Sequence, residues 1–180
     1  MSTDIVTPTE VVAGTWAIDP THSEVGFTVR HLMTKVRGQF ESFEGTITTG
    51  AGLADTKAEA TIDLNSINTR DAQRDGHLRS GDFFDTENSG PMTFSSVSFD
   101  GTSAKGNLTI KGITREVELD VEFLGTEVDP YGNTKIGFDA STEISRKDFG
   151  VDFNIPLDGG KLLIGDKVSI TLSIQAALQA

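Results

Sequence analysis

The stretch that decides the fold runs from Arg115 to Phe123 and reads REVELDVEF. Apolar residues occupy every second position after the arginine, and acidic residues stand between them. Side chains of a β-strand point alternately to the two faces of a sheet, so this segment predicts a strand with one apolar and one charged face. The apolar face consists of Val117, Leu119, Val121 and Phe123.

The same two-residue period recurs along most of the chain. It predicts eight strands, at residues 14–31, 38–49, 57–66, 91–99, 104–111, 114–127, 133–146 and 165–177. Turn sequences such as Asp100-Gly101 and Lys111-Gly112 separate neighbouring strands, as is typical of antiparallel hairpins. The predicted fold class is therefore all-β with short helical insertions, an extended eight-stranded antiparallel up-and-down barrel whose closure removes exposed sheet edges.

The chain departs from this alternation most clearly at residues 69–84, TRDAQRDGHLRSGDFF. This segment predicts a helical insertion between two strands, capped by Asn68 or Thr69 at its start. On its surface we expect ion pairs at helical spacing, Asp71 with Arg74 and Asp75 with Arg79. Ser80 is expected to start a second short helix, and an insertion of this length predicts a lid.

Two shorter irregularities are also expected. The segment RHLMTKVRG, residues 30–38, predicts a helical turn. In residues 91–99 the apolar phase changes near Ser95 and Ser96, which predicts a β-bulge. At one end of the barrel, the helical segments are expected to supply closing side chains from Leu32, Met33, Leu78, Phe83 and Phe84.

The interior of an eight-stranded barrel is either filled by side chains or holds one small ligand. The inward positions mix large phenylalanines with small alanines, and this mixture favours an apolar lumen with gaps. A filled core, in which large and small residues alternate in order to pack, remains the alternative. The predicted lining residues are Phe27, Val29, His31, Phe40, Ile62, Phe94, Leu119, Phe123 and Phe138.

The sequence offers few groups for catalysis or metal binding. There is no cysteine, and the three histidines lack the spacing of a metal motif. His22 and His31 are nine residues apart on one predicted strand, which places them on opposite faces. Asp71, Asp75 and His77 would serve as acid and base only if buried together. We therefore predict no catalytic residue, no metal site and no enzyme activity.

The composition limits the binding partners and the cellular location that we expect for the protein. The net charge is −12, from 15 basic and 27 acidic side chains, which argues against nucleic acid as a partner. No apolar run is long enough to span a membrane, and the first residues carry no secretory signal, so a cytoplasmic location is expected. Residues 1–12 are expected to form a flexible arm, and residues 13–180 a single barrel domain.

Four segments resemble the YceI family of lipocalin-like polyisoprenoid-binding proteins. They are WAIDPTHSEVGFTVRHLMTKVRGQFESFEGTI, NTRDAQRDGHLRSGDFFD, GNLTIKGITREVELDVEFLG and GFDASTEISRKDFG, and the likeness extends over about residues 14–177. The resemblance implies a long apolar pore for an isoprenoid, no established enzyme activity and a homodimer. Arg30, Arg74, His77 and Arg79 fall within the matching segments as possible contacts of a lipid head group. Lys161 departs from the less polar residue that the resemblance leads us to expect.

The resulting hypothesis is a binding protein for an isoprenoid or similar long-chain lipid, such as a quinone or a polyprenyl phosphate. It would act as a carrier, a store or a sequestering protein, with the lipid as ligand and no other cofactor. Two alternatives stay open at this point. One is an enzyme that acts on a lipid head group, and the other is a stress-related barrel with a filled core and no ligand.

Overall fold

A computed structural model describes residues 12–179 of the protein, without the side chain of residue 53. Residues 1–11 of the predicted flexible arm lie outside the described residues. Within residues 12–179 there is one α-helix, α1 (Ala72–Arg79), together with short 3₁₀ turns at Pro20–His22, Leu53–Asp55, Leu64–Ser66, Arg146–Phe149 and Asp158–Gly160. The strands are β1 (Gly14–Ile18), β2 (Glu24–His31), β3 (Thr34–Phe40), β4 (Phe43–Thr49), β5 (Lys57–Ile62), β6 (Ile67–Asn68), β7 (Met92–Phe99), β8 (Ser103–Ile110), β9 (Ile113–Val128), β10 (Thr134–Ser145) and β11 (Ile164–Leu178).

These segments form a closed antiparallel barrel of eight long strands, as predicted. Three of the long strands are each interrupted once: β1 continues as β2, β3 as β4, and β5 as β6. The ring runs through these three and then β7, β8, β9, β10 and β11. It closes because β11 pairs with β1 at Trp16↔Leu178 and with β2 at Val29↔Val168.

The three interruptions fall at the same level and divide the barrel into two ends. The first follows Asp19, whose carboxylate caps the 3₁₀ turn at Pro20–His22 by accepting from the backbone N–H of Thr21 at 3.0 Å. The end that contains β1, β4 and β5 is called the closed end here. The end that contains β2, β3, β6 and α1 is called the mouth end.

The predicted helical turn at residues 30–38 was wrong, because this segment is a β-hairpin. His31 pairs with Thr34 across a turn of Leu32 and Met33, and Leu32 takes a left-handed φ of 55°. Two-residue hairpin turns favour glycine or asparagine, so a Leu-Met turn gives no sequence signal. The hairpin projects at the mouth end.

The predicted bulge in β7 is confirmed. The register with β8 shifts between Ser96 and Ser98, so Val97 turns outward and is exposed. Because of this extra residue, Phe94 and Phe99 both face the barrel interior although five positions separate them.

Trp16 seals the closed end. Its side chain is fully buried and packs with Ile47, Ile136 and Ala176. The indole Nε1–H donates a hydrogen bond of 2.9 Å to the hydroxyl oxygen of Thr49, so its one polar group is satisfied in the core. Packed side chains around Trp16 therefore close the barrel interior at this end.

An ion pair ties the first interruption to β10. Lys135 Nζ lies 2.8 Å from Oδ2 of Asp19, and His22 Nδ1 lies 2.8 Å from the same oxygen. Hydrogen bonds from Lys135 and then from His22 hold the pKa of Asp19 well below its usual range, although partial burial opposes them. The carboxylate is therefore more stable ionised in the folded protein than in the unfolded chain.

We expect Asp19→Asn to destabilise the protein in a way that depends on pH. A lowered folded-state pKa adds stability above the unfolded pKa, about 4 for aspartate, and this stability is lost as the pH falls through the folded value. The difference in unfolding free energy between wild type and variant should be present at about pH 6 and shrink below about pH 4. Urea unfolding at a series of pH values measures it, and Asp139→Asn on the exposed face of β10 is the control. An equal difference at every pH would show that the ion pair does not stabilise the fold.

Candidate functional site

Two apolar cavities lie in line inside the barrel. The lower cavity, of about 190 Å³, is at the level of β4, β5 and β7, and the upper cavity, of about 280 Å³, is at the mouth end. They adjoin, because Val25, Met92 and Ile170 line both. The barrel interior therefore contains space along its axis and is not filled by its own side chains.

Small side chains create the lower cavity. Ala58, Ala60 and Ala140 line it at positions where larger side chains would take up part of its volume. Most of the remaining lining is aliphatic or aromatic, which disfavours a polar ligand group at this level.

The upper cavity combines aromatic walls with a polar rim. Phe27 and Phe40 line it from the strands, with ring centroids 5.6 Å apart. The exposed residues His31, His77 and Ile155 also line it, so the cavity reaches the surface at the mouth end.

The segment 69–91 forms a lid over this cavity. Leu78, Phe83 and Phe84 line the cavity from the lid, and the ring of Phe84 meets that of Phe40 at a centroid distance of 6.1 Å. The predicted helical insertion and its role as a cover agree with this placement. Residues 81–84 form turns, however, and the expected second helix is absent there.

The caps and ion pairs predicted for the lid were wrong. Asp71 is the N-cap of α1, and its carboxylate accepts from the backbone N–H of Arg74 at 3.0 Å. Asp75 is buried and accepts from Thr69, at 2.9 Å from the backbone N–H and 2.6 Å from the hydroxyl. Within the described residues, the guanidinium groups of Arg74 and Arg79 form no ion pair with a carboxylate.

The two lid arginines bond to uncharged oxygens. Arg74 donates from Nε to the hydroxyl of Thr69 at 2.8 Å and from NH2 to the Thr69 carbonyl at 2.7 Å. Arg79 donates to the carbonyls of Asn65 and Ile67 at 3.0 and 3.3 Å. Arg79 thereby ties the end of α1 to Asn65 and to β6, and Arg74 ties the helix to Thr69 directly after β6.

We expect Asp75→Ala to loosen the lid. The change leaves the buried N–H of Thr69 without its acceptor, at a cost of about 2 kcal/mol. Hydrogen exchange at residues 69–84 should become faster, while exchange in β9 and β10 stays as in the wild type. Gln73→Ala, on the exposed side of the same helix, is the matched control. Equal exchange in the two variants would show that Asp75 does not anchor the lid.

An aromatic cluster joins the lid to the loop after β10. The ring of Phe83 lies 5.1 Å from that of Phe153, and the ring of His77 lies 5.0 and 5.2 Å from these two. His77 Nε2 is 2.8 Å from a carboxylate oxygen of Asp82. Because His77 also lines the cavity, this cluster is part of the wall beside the opening.

Arg146 is a functional candidate that the sequence did not reveal. Only 7% of the residue is exposed, it lines the upper cavity, and it has no carboxylate partner within the described residues. The guanidinium donates to the carbonyls of Gly165 at 2.8 Å and Val151 at 2.7 Å, with longer bonds to Phe153 and Ile164. Loss of water around it lowers the pKa of Arg146.

Arg146 therefore fastens the loop 146–155 to the start of β11. The loop contributes Phe149, Val151 and Phe153 to the cavity wall. Their alternate spacing was the available signal, since three apolar residues at a two-residue period indicate an inward face, although they are out of phase with β10. Nothing in the sequence distinguishes Arg146 from the exposed Lys147 beside it.

The predicted site residues lie in four regions of the structure. The upper cavity is lined by Phe27, Val29, His31, Phe40, Leu78, Phe83 and Phe84, and also by Arg74 and His77. The lower cavity is lined by Ile62, Phe94, Leu119 and Phe138. Phe123 packs beside Phe138 in the core at the closed end. Outside the cavity linings lie Leu32, Met33, Arg30 and Arg79.

The groups considered for acid–base chemistry are each engaged separately. Asp71 caps α1, Asp75 is held by Thr69, and His77 pairs with Asp82. Among residues 12–179, no three His, Asp or Glu side chains form a group that could hold a metal ion. The only α-helix described, α1, is too short to cross a membrane.

Comparison with known proteins identifies the family to which this barrel belongs. The model of the YceI-like domain matches residues 16–176. The chain belongs to the YceI-like family. A UPF0312 protein of Staphylococcus aureus is 38% identical to this YceI-like chain over 169 residues, which cover 91% of the chain and 97% of the relative.

Solved structures agree with the barrel. A YCEI protein of Campylobacter jejuni is 28% identical, covers 84% of this chain and 90% of its own, and superposes with a TM-score of 0.70. A polyisoprenoid binding domain from Saccharophagus degradans, described as implicated in plant cell wall breakdown, shares the fold with a TM-score of 0.70 at 18% identity. It covers 93% of this chain and 100% of its own. The family and the fold expected from the sequence are thus confirmed.

Proposed function

We propose that this YceI-like protein binds one isoprenoid or similar long-chain lipid along the barrel axis and acts as its carrier or store. The observation that carries the proposal is the pair of adjoining apolar cavities, which share three lining residues and open at the mouth end. Each buried methylene contributes up to about 0.8 kcal/mol, so an apolar chain gains affinity with every carbon that enters. The name of the Saccharophagus degradans neighbour is consistent with such a ligand.

The charges of the lining favour one orientation of the lipid. In the upper cavity the ionisable lining residues are His31, Arg74, His77 and Arg146, and no carboxylate lines it among the described residues. In the described part of the chain, the one ionisable residue that lines the lower cavity is Glu59, an exposed residue of β5. In a chain of net charge −12, this distribution favours an electron-rich head group at the mouth and the apolar tail toward Trp16.

The proposed ligands are therefore a polyprenyl phosphate, whose anion suits guanidinium donors, or a quinone, whose carbonyl oxygens accept hydrogen bonds from N–H groups. A head group would bond to Arg74 at the rim, whereas His77 Nε2 already lies 2.8 Å from the Asp82 carboxylate. Arg146 would contribute mainly its positive charge, because its guanidinium already donates to four carbonyls.

Native mass spectrometry of protein purified without detergent from its own source tests the proposal. We expect a bound mass of one lipid per chain, and organic extraction of the same sample should release an isoprenoid or a long-chain lipid. The bound mass should persist in preparations that differ in salt and buffer. An unliganded mass together with an extract free of lipid would overturn the proposal and favour a barrel without ligand. The same spectra count the chains in each assembly and so test the expected homodimer.

A further inference from the structure

An exposed apolar patch lies beside the opening of the upper cavity. It consists of Leu32, Met33, Ile155 and Leu162, which are 45, 88, 47 and 40% exposed, and it is called the mouth patch here. Hydrogen bonds hold its parts together. The backbone N–H of Leu32 donates to the Leu163 carbonyl at 2.7 Å, and that of Leu163 donates to the Ile155 carbonyl at 3.0 Å.

The mouth patch is continuous with the cavity wall. Ile155 belongs to both, and Leu163 lines the cavity beside Leu162. A lipid tail that leaves the barrel at this point passes from one apolar surface to another. Single exposed apolar residues are common on protein surfaces, but a group of them beside an apolar cavity indicates an interaction site.

Basic residues flank the patch in a strongly acidic protein. Residues 25–40, which form most of the β2–β3 hairpin, contain Arg30, Lys35 and Arg37 and no aspartate or glutamate. Arg30 and Lys35 face each other across the hairpin, and both are exposed. In the loop before β11, Lys161 is adjacent to Leu162. The turn in this loop also carries one carboxylate, that of Asp158.

A row of acidic residues lies on another strand of the barrel, while Asp152, Asp158 and Asp166 belong to the loops and the strand start beside the mouth patch. The outward side of β9 carries four exposed carboxylates, at Glu116, Glu118, Asp120 and Glu122. This strand is separated from the β2–β3 hairpin by β10 and β11. A negatively charged surface would therefore attract the hairpin and repel the face formed by β9.

We propose that the mouth patch docks on the surface of an anionic lipid bilayer and that the proposed lipid enters and leaves there. This inference rests on the proposed function. Exposed apolar side chains would enter the interface of the bilayer, while Arg30, Lys35 and Arg37 meet the negative head groups. A second copy of the chain fits less well, because a twofold contact through this patch would bring the two basic hairpins together.

Vesicle binding tests the docking surface with a matched pair of variants. Met33→Asp removes the most exposed apolar residue of the patch. Tyr131→Asp is the control, since Tyr131 is also 88% exposed but lies in the β9–β10 turn at the closed end. Binding to phosphatidylcholine vesicles that contain phosphatidylglycerol should fall with Met33→Asp and stay unchanged with Tyr131→Asp. Lys35→Gln should weaken it about five-fold, the effect of one basic residue near an anionic surface.

The possible outcomes separate docking from lipid binding. Equal binding by the two aspartate variants, or equal binding to vesicles without phosphatidylglycerol, overturns the docking proposal. The docking proposal is also overturned if light scattering shows that the wild type is a dimer and that Met33→Asp is a monomer. The mouth patch would then be the contact between two copies of the chain. The lipid content of the same preparations, by native mass spectrometry, reports on the proposed function alone. Wild-type protein that carries lipid but binds no vesicles refutes only the docking.

Discussion

Ala140→Phe is expected to lower the affinity for a long-chain prenol about 15-fold. Ala140 pairs with Val121 and Leu172, and its side chain lines the lower cavity. A phenyl ring there would occupy space that we assign to the end of the lipid tail. Exclusion of about two methylenes costs about 1.6 kcal/mol, which corresponds to about 15-fold in affinity.

Ser141→Phe is the matched control for this change. It adds the same ring one residue further along β10, on the exposed outer face. Titration of each purified variant with prenols of increasing length measures the effect. The loss should be confined to Ala140→Phe and to long chains, because short chains fit in the upper cavity. Equal affinities of the two variants for every chain length would mean that the lower cavity holds no ligand.

Arg146→Leu is expected to lower the free energy of unfolding by about 3 kcal/mol. Hydrogen bonds to a charged donor each contribute about 1.5–3 kcal/mol, and the variant loses two short bonds and two longer ones. Leucine avoids the cost of burying a charge, which offsets part of this loss. Because the carbonyls of Val151 and Gly165 would lose their donor, the loop 146–155 should separate from β11.

Urea unfolding measures the effect of Arg146, and Lys147→Leu is its control. Lys147 is the exposed neighbour in the same 3₁₀ turn, and surface substitutions of this kind usually change stability by less than about 0.5 kcal/mol. Arg146→Lys, which keeps the charge but not the planar set of donors, should fall between the two. Equal free energies of unfolding for Arg146→Leu and Lys147→Leu would show that the guanidinium does not hold the loop in place.

Most of the barrel was predictable because alternation is a strong local signal. The acidic and apolar faces of β9 follow directly from REVELDVEF, and the bulge in β7 follows from the change of phase in MTFSSVSF. The interruption after Asp19 was missed, since Pro20 lies between two stretches that continue each other along β11. The β2–β3 hairpin was missed because its Leu-Met turn lacks the residues that usually mark a turn.

The site was predictable only where burial follows from periodicity. Phe27, Phe40 and Phe94 occupy inward positions of strands and line the cavities as expected. The contacts of the charged residues were not predictable, because their partners are distant in sequence or are backbone groups. Helical spacing pairs Asp75 with Arg79, but in the fold Asp75 is buried against Thr69.

The most direct test of the account uses Trp16, the only tryptophan of the chain, as a reporter at the closed end. Trp16 belongs to the same buried cluster as Ile47, and Ala58 and Phe138 pack against this cluster. Ile47, Ala58 and Phe138 also line the lower cavity. Two versions of a long-chain prenyl phosphate are compared, one brominated at the end of the tail and one brominated next to the phosphate. A lipid that lies along the axis with its tail at the closed end should quench Trp16 fluorescence only when the tail carries the bromine. Quenching by neither lipid, at concentrations where binding is saturated, would contradict the account.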